Sequence, residues 1–123
     1  MNKMENWKIC FCEEAKEDLK QLDGSIKKQV LAGIYKVSKN PLPKPAGYGN
    51  PLGNKKGNDL TGFFKIKYKT IGIRVVYALA LEGRAMNIMV ISARDDNRCY
   101  DIAATIAKKY NDTLFKDIFE QLK

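Results

Sequence analysis

A row of lysines at alternate positions is the part of this sequence best suited to chemistry. In the run from Phe63 to Lys69, apolar residues alternate with Lys65, Lys67 and Lys69, which predicts a strand with three ammonium groups on one face. Neighbours on that face lie about 6–7 Å apart along the strand. Like charges at this spacing repel, so the row requires an anionic partner or a lysine of lowered pKa.

Two arginines and a tyrosine follow at positions that could reach the same face. Arg74 begins the next predicted strand, Arg94 follows the last strand, and Tyr100 starts the helix after it. With Lys65 and Lys67 they could converge on one concave side of a sheet. The alternative is a solvated edge strand, where lysines discourage aggregation, and the alternating lysines alone do not decide between the two.

The composition removes several mechanisms. The chain has 123 residues, 22 Lys and Arg, 14 Asp and Glu, a net charge of +8 and no histidine. Without histidine there is no Ser-His or Cys-His nucleophile, no imidazole metal site and no imidazole acid–base pair. Chemistry therefore falls to lysine, arginine, tyrosine and the carboxylates. The length fits one small domain with one modest core.

The positive charge is concentrated in the middle of the chain. Residues 40–75 hold seven basic residues and one acidic residue, and residues 26–39 hold four basic residues and no acidic one. Such a field indicates a polyanionic partner, most often nucleic acid, although a merely solvated lysine-rich surface is the alternative. No apolar run reaches the roughly 18 residues that a membrane helix needs, and the polar N-terminus predicts no signal peptide.

The three cysteines predict buried thiols. Cys10, Cys12 and Cys99 are odd in number and lack Cys-x-x-Cys spacing, so neither a disulfide framework nor a zinc site is indicated. Free cysteine usually behaves as a small buried hydrophobe. We expect no metal and no other cofactor, no membrane partner, and a reducing cytoplasmic location.

The hydrophobic periods predict an α+β fold. An N-terminal strand is followed by a hairpin of two helices, with Ser25 as the N-cap of the second. A long irregular connection at residues 40–58 then leads to three strands joined by short turns. The predicted architecture is an N-terminal strand and a helical hairpin packed on a curved antiparallel sheet of about four strands, with one or two C-terminal helices. The predicted ranges are strands at 7–12, 63–69, 73–81 and 86–92, and helices at 13–22, 26–39 and 101–110.

A site built from crowded cations suits metal-independent cleavage of RNA. In that reaction the ribose 2′-OH attacks the phosphate, which requires a base, cations for the developing charge and an acid for the leaving 5′ oxygen. A lysine among other cations can supply the base. Guanidinium groups suit phosphate oxygens, and a tyrosine can stack on or orient the nucleotide.

The run from Leu60 to Tyr77 resembles the signature of the RelE/ParE toxin superfamily of bacterial type II toxin–antitoxin systems. It combines a Leu-x-Gly turn, a strand with alternating lysines, a short turn and a strand containing Arg-Val-Val-Tyr. Val90-Ile91-Ser92, Arg94 and Tyr100 then follow in the family's order, and residues 13–22 look like its first helix. The resemblance implies a single domain over residues 1–123, with a core at about 7–110 and a helical extension at 111–123.

The resemblance implies an mRNA-cleaving toxin. RelE-like members cut mRNA in the ribosomal A site, and by this resemblance Lys65 and Lys67 are the strand lysines, with Lys67 the better candidate for the base. Arg74 would stabilise the phosphate, Arg94 would stabilise charge or protonate the leaving group, and Tyr100 would orient or stack on the nucleotide. Residues 93–98 are more acidic than usual in the family, which offers Arg94 a local ion pair. Further candidates for contact with RNA are Lys55, Lys56, Lys69 and Arg98, the last also a second candidate for the role of Arg94.

Two other functions remain open at this point. ParE-like members inhibit DNA gyrase and lack the catalytic cations, whereas this chain fills every position of the RelE-type set. A non-catalytic module that binds RNA or DNA would use the same positive charge. The expected partners are a cognate antitoxin protein, whose acidic or amphipathic segment covers the basic groove, and mRNA on the ribosome.

Overall fold

A computed structural model of the protein describes residues 6–55, 57–93 and 95–121. Within these ranges the chain forms three α-helices and one six-stranded sheet, with the strand order β2-β3-β4-β5-β1-β6. The predicted α+β class is confirmed. The elements, in chain order, are β1 (Lys8–Phe11), α1 (Glu13–Lys20), α2 (Gly24–Ser38), β2 (Asn50–Lys55), β3 (Asn58–Tyr68), β4 (Ile73–Ala80), β5 (Ala85–Ser92), α3 (Asp96–Tyr110), a 3-10 turn (Asn111–Phe115) and β6 (Glu120–Gln121).

The sheet differs from the prediction in strand number and direction. It has six strands rather than about four, and it is mixed, because β1 runs parallel to β5 while the other pairs are antiparallel. The first missed strand is β2, which lies in the segment predicted to be irregular. Pro51 and Gly53 interrupt its pattern, and a bulge falls between them, as is tolerated on an edge strand. The second is β6, only two residues long.

Both faces of the sheet carry helices, and β3 shows how they are divided. On one face the hydroxyl of Tyr68 donates to the carbonyl of Val30 in α2 at 2.6 Å. A Cβ at Gly33 would stand 2.4 Å from that hydroxyl, so glycine permits the close approach of α2. On the other face Lys65 reaches Tyr100 of α3. Because side chains alternate along a strand, α2 and α3 pack on opposite faces.

Aspartates, rather than the predicted residues, begin two of the helices. The Asp23 carboxylate accepts from the backbone N–H of Ile26 at 3.1 Å, so Asp23 is the N-cap where Ser25 was predicted. Helix α3 starts at Asp96, five residues earlier than predicted, because Asp95 accepts from the N–H of Arg98 at 2.9 Å. In both cases a carboxylate satisfies a free N–H of the first helical turn.

The C-terminal segment packs on the sheet and is not the predicted helical extension. After the 3-10 turn the chain bends, and the two residues of β6 pair with β1. Phe115 stacks on Phe63 with ring centroids 5.4 Å apart. The side-chain amide of the fully buried Asn87 donates to the carbonyls of Leu114 and Lys116 at 2.8 and 3.0 Å. These contacts attach the segment to the face that also carries α3.

The three cysteines are buried and free, as predicted. Burial raises the pKa of the Cys12 and Cys99 thiols to about 11, so both stay protonated at neutral pH. In the part of the chain that is described, no helix has the length and apolar character needed to cross a membrane.

Glu14 joins α1 to the end of α3 and predicts a pH-dependent contribution to stability. Its carboxylate accepts from Lys109 at 2.6 Å and from the Tyr110 hydroxyl at 2.7 Å. Burial raises the pKa of Glu14, but these hydrogen bonds outweigh it and lower the pKa to about 2. A lowered carboxyl pKa stabilises the fold above the ordinary value of 4.5, and the contribution is lost as the pH falls towards 2.

We therefore expect Glu14→Gln to lower the free energy of unfolding at pH 7 by about 1–2 kcal/mol. Urea unfolding at a series of pH values measures this, and the difference from the wild type should shrink between pH 4.5 and 2. Glu17→Gln is the matched control, because Glu17 is an exposed residue of the same helix. A difference that stays constant down to pH 2 would contradict the assignment.

Candidate active site

Three cations share one face of the sheet where β3 pairs with β4. In the register of this pair Lys67 lies opposite Arg74, and Lys65 lies opposite Val76. Directly opposed residues of antiparallel strands point to the same face, so Lys65, Lys67 and Arg74 are neighbours there. Helix α3 lies on this face, and the ammonium of Lys65 donates to the hydroxyl of Tyr100 at 3.3 Å. We call the set of Lys65, Lys67, Arg74, Asp96 and Tyr100 the cation cluster.

Asp96 was not among the predicted site residues, yet it ties the cation cluster together. It belongs to the first turn of α3, where its Oδ1 accepts from the Nε of Arg74. Its Oδ2 lies 3.9 Å from the Nζ of Lys67. The acidic run at residues 93–98 was the sequence signal for such a carboxylate, but it was expected to form an ion pair with Arg94 rather than with Arg74.

The charge state of Asp96 follows from its neighbours. Burial raises its pKa, but the hydrogen bond and charge of Arg74 outweigh burial, with a smaller contribution from the charges of Lys67 and Lys65, so the pKa is lowered. Asp96 is therefore an anion at neutral pH. It lies where a phosphate oxygen could contact the same cations.

Tyr100 takes part through its hydroxyl rather than through its ring. Only 4 % of the residue is exposed, so the ring offers no surface on which a base could stack in this conformation. Burial, with the nearby charge of Asp96, raises the pKa of the phenol, which is consequently protonated at neutral pH. Its contact with Lys65 suits it to orienting that ammonium group.

The structure brings together four of the five predicted catalytic residues, and the fifth, Arg94, lies outside the described residues. Lys56, predicted to contact RNA, also lies outside them. Lys55 is the last residue of β2, and Lys69 is an exposed residue directly after β3. Lys69 has no described contact with the cation cluster.

Arg98 is directed elsewhere. It is exposed and lines a pocket between α1 and α3 together with Glu14 and Asp18. Asp101 lines the same pocket, and a basic residue that shares a pocket with three carboxylates is poorly placed to bind a phosphate. The structure therefore does not bring Arg98 to the cation cluster.

The cation cluster is suited to an anionic ligand with several oxygen acceptors. It presents two ammonium groups and one guanidinium on one face, and Arg74 keeps only 18 % of its side chain exposed. Charge–charge interactions are stronger where water is partly excluded. Among the described residues, no group of three or more Cys, Asp or Glu side chains is arranged to hold a metal ion.

Comparison with solved structures identifies the same fold in bacterial toxins. The toxin–antitoxin complex RelBE2 of Mycobacterium tuberculosis contains a chain that is 25% identical, and the match covers 78% of this chain and 100% of that one with a TM-score of 0.59. The isolated RelE toxin of E. coli is 19% identical over 80% of this chain and 96% of that one, with a TM-score of 0.60. A double mutant of the E. coli toxin in the free state is 19% identical over 82% and 97%, with a TM-score of 0.65.

Comparison at the level of sequence alone finds no counterpart. No protein-family model matches the chain, and no curated protein matches it.

Proposed function

We propose that this chain, whose fold is similar to that of RelE toxins, is the toxin of a type II toxin–antitoxin pair. Its activity would be metal-independent endonucleolytic cleavage of mRNA, in the ribosomal A site, which inhibits translation in the cytoplasm. The whole chain, residues 1–123, would act as one toxin domain.

The observation that carries the proposal is the cation cluster. Lys65, Lys67 and Arg74 lie on one face of the sheet. Among the described residues, Asp96 is the anion that pairs with Lys67 and Arg74. A phosphodiester brings its own negative charge and can take over the contacts that Asp96 makes, because guanidinium and ammonium groups bind phosphate oxygens well. A protein that used this face only for folding would gain little from three neighbouring cations.

The proposed reaction needs no group outside the chain and the RNA. Lys67, in the role of base, removes the proton from the ribose 2′-OH as the 2′ oxygen attacks phosphorus. Arg74 and Lys65 stabilise the negative charge that develops on the phosphate oxygens. The bond from phosphorus to the 5′ oxygen breaks, a 2′,3′-cyclic phosphate forms, and the 5′ oxygen takes a proton from an acid, for which Arg94 is the candidate by resemblance.

An antitoxin partner is the second part of the proposal. Two of the structural neighbours come from RelBE toxin–antitoxin complexes, and another is an E. coli toxin with an antitoxin peptide. With a net charge of +8, this chain would attract an acidic segment to the basic face. Such a segment would compete with mRNA for the cation cluster.

The test uses the whole chain, ribosomes and a synthetic mRNA in a translation reaction. We expect cleavage within the A-site codon, fragments that end in a 2′,3′-cyclic phosphate, and the same rate in the presence of EDTA. An mRNA with 2′-deoxyribose at the cleaved nucleotide should stay intact, because it lacks the nucleophile. Cleavage of the deoxy substrate would contradict 2′-OH attack.

Growth arrest with intact mRNA would contradict the nuclease proposal as a whole. If DNA supercoiling were lost at the same time, gyrase inhibition would replace it. If growth arrest persists when the residues of the cation cluster are replaced, a non-catalytic module that binds RNA or DNA would be indicated instead.

A further inference from the structure

A groove next to the cation cluster has features of its own that the proposed reaction does not use. It lies between α2 and the end of β3, is open to solvent and has a volume of about 290 Å³. We call it the α2–β3 groove. Its polar lining residues are Lys36, Lys44, Tyr48, Asn50, Lys65 and Lys67.

The charge of the α2–β3 groove is positive throughout. Four lysines line it, and the described lining contains no Asp or Glu. Two of the four, Lys65 and Lys67, also belong to the cation cluster on the other face of the sheet, so the groove and the cluster meet at the edge of β3. An anionic chain bound at the cluster can thus extend into the groove and meet Lys36 and Lys44.

The open side of the groove results from the length of β2. Pairing between β2 and β3 starts where Asn50 lies opposite Lys65. Residues 66–68 of β3 have no partner in β2, and they border the groove at this edge of the strand. The groove is thus a gap in the edge of the sheet, with α2 as one wall and the segment before β2 as the other.

Tyr48 offers an exposed aromatic ring at this wall. The residue is 46 % exposed, and the ammonium of Lys36 stands 5.8 Å from the centre of its ring. The backbone around it is fixed, because the N–H of Tyr48 donates to the carbonyl of Asn40 at 2.8 Å and the N–H of Gly49 to that of Leu42 at 2.9 Å. The backbone that carries the ring is therefore held in place before any ligand binds.

We propose that the α2–β3 groove binds one nucleotide of single-stranded RNA next to the cleaved bond. The base would stack on Tyr48, and the phosphate would contact Lys36 and Lys44. Aromatic stacking together with cations along the backbone is the usual way in which proteins hold single-stranded nucleic acid. Tyr68 also lines the groove, but it is partly buried and its hydroxyl is bonded to Val30. Among the described residues that line the groove, Tyr48 is thus the exposed aromatic side chain. This inference rests on the proposed function, since it takes RNA as the ligand.

Equilibrium binding of a short single-stranded RNA tests the inference independently of catalysis. The probe is a fluorescent oligonucleotide with 2′-deoxyribose at the cleavage position, so that it binds without being cut. We expect Tyr48→Ala to weaken binding about tenfold and Tyr48→Phe to bind like the wild type, because phenylalanine keeps the stacking face. The double variant Lys36→Ala/Lys44→Ala should reduce the slope of log affinity against log salt by about 0.7, since the two lysines neutralise one phosphate of a single strand.

Tyr35 in α2 and Lys39 directly after α2 provide a matched control. Tyr35 is 56 % exposed and has the ammonium of Lys39 at 5.9 Å from its ring centre, but neither residue lines the groove. Tyr35→Ala and Lys39→Ala should therefore leave RNA affinity unchanged. Equal losses in the Tyr35 and Tyr48 variants would overturn the inference, because general charge and aromatic surface would then explain binding.

The outcomes separate this inference from the proposed function. If Tyr48→Ala binds RNA like the wild type while mRNA cleavage proceeds, the groove is not an RNA subsite and the proposed function stands. If the variant loses RNA binding as expected but no mRNA is cleaved by the wild type, the subsite stands and the nuclease proposal fails. Loss of affinity for an acidic peptide with no loss for RNA would overturn the inference in favour of a protein ligand.

Discussion

Replacing Lys67 by alanine is expected to slow mRNA cleavage by about 10²–10⁴-fold, the usual contribution of a general base. Lys67 lies opposite Arg74 across the β3–β4 pair and within 3.9 Å of a carboxylate oxygen of Asp96. The side chain of Lys67 is 38 % exposed, so replacing it by alanine opens no cavity in the core. The effect should thus fall on the chemical step rather than on folding.

The measurement is the rate of appearance of cleaved mRNA ends in a translation reaction at saturating toxin. Lys67→Arg should not restore the rate, because a guanidinium is already protonated at neutral pH and cannot accept the proton of the 2′-OH. Lys108→Ala is the matched control, since Lys108 is an exposed lysine on α3 and the change removes the same charge. A Lys67→Ala protein that cleaves within threefold of the wild type would remove Lys67 from the role of base.

The second large effect is expected for Arg74. Arg74→Ala should slow cleavage by about 10²–10³-fold, because a positioned donor to the developing phosphate charge is worth that much. Arg74→Lys should recover only part of the loss, since an ammonium lacks the planar pair of donors that matches two phosphate oxygens. Both rates are measured in the same translation reaction as for Lys67.

Asp96 makes it possible to separate a chemical role of Arg74 from a structural one. Arg74→Ala leaves Asp96 without the guanidinium that lowers its pKa, so part of the loss could come from a destabilised fold. Removing both charges in Arg74→Ala/Asp96→Asn should restore the unfolding free energy towards that of the wild type. Cleavage should stay low in the double variant. Recovery of cleavage together with stability would show that Arg74 acts only as the partner of Asp96.

Local periodicity was sufficient to predict the centre of the site. The alternation along β3 predicted that Lys65 and Lys67 share a face, and the structure has them on one face opposite Val76 and Arg74. The short turn between β3 and β4 predicted antiparallel pairing, and that pairing brings Arg74 to Lys67. These features depend on residues close in the chain, where sequence patterns are informative.

Asp96 could not be assigned in the same way, because its partner Arg74 is 22 residues away. The acidic run was visible in the sequence, but two roles were available to it, a cap for α3 and a counter-ion. The structure gives the first role to Asp95 and the second to Asp96. A charge pattern alone does not indicate which distant cation a carboxylate will meet.

Strand pairing was the other limit. β2 contains Pro51 and Gly53, residues that disfavour strands, and it forms because β3 offers a partner edge. The parallel direction of β1 relative to β5 is likewise a tertiary property, since alternation has a period of two in either direction. The C-terminal segment was predicted as helical from apolar residues such as Leu114 and Ile118, but contacts with the sheet decide its conformation.

The division of β3 into two faces has a practical consequence for making an inert form of this protein. Tyr68 and Ile66 hold the strand against the helical hairpin, whereas Lys65 and Lys67 project from the other side. A substitution at the lysines is expected to abolish the proposed cleavage and to leave the packing of the strand on the hairpin intact. A substitution at Tyr68 removes a contact between the strand and α2, so a loss of activity there would not be separable from a loss of structure. Inert material with the native fold is therefore best prepared from the lysine side, and a partner that contacts the cation cluster is expected to bind it more weakly.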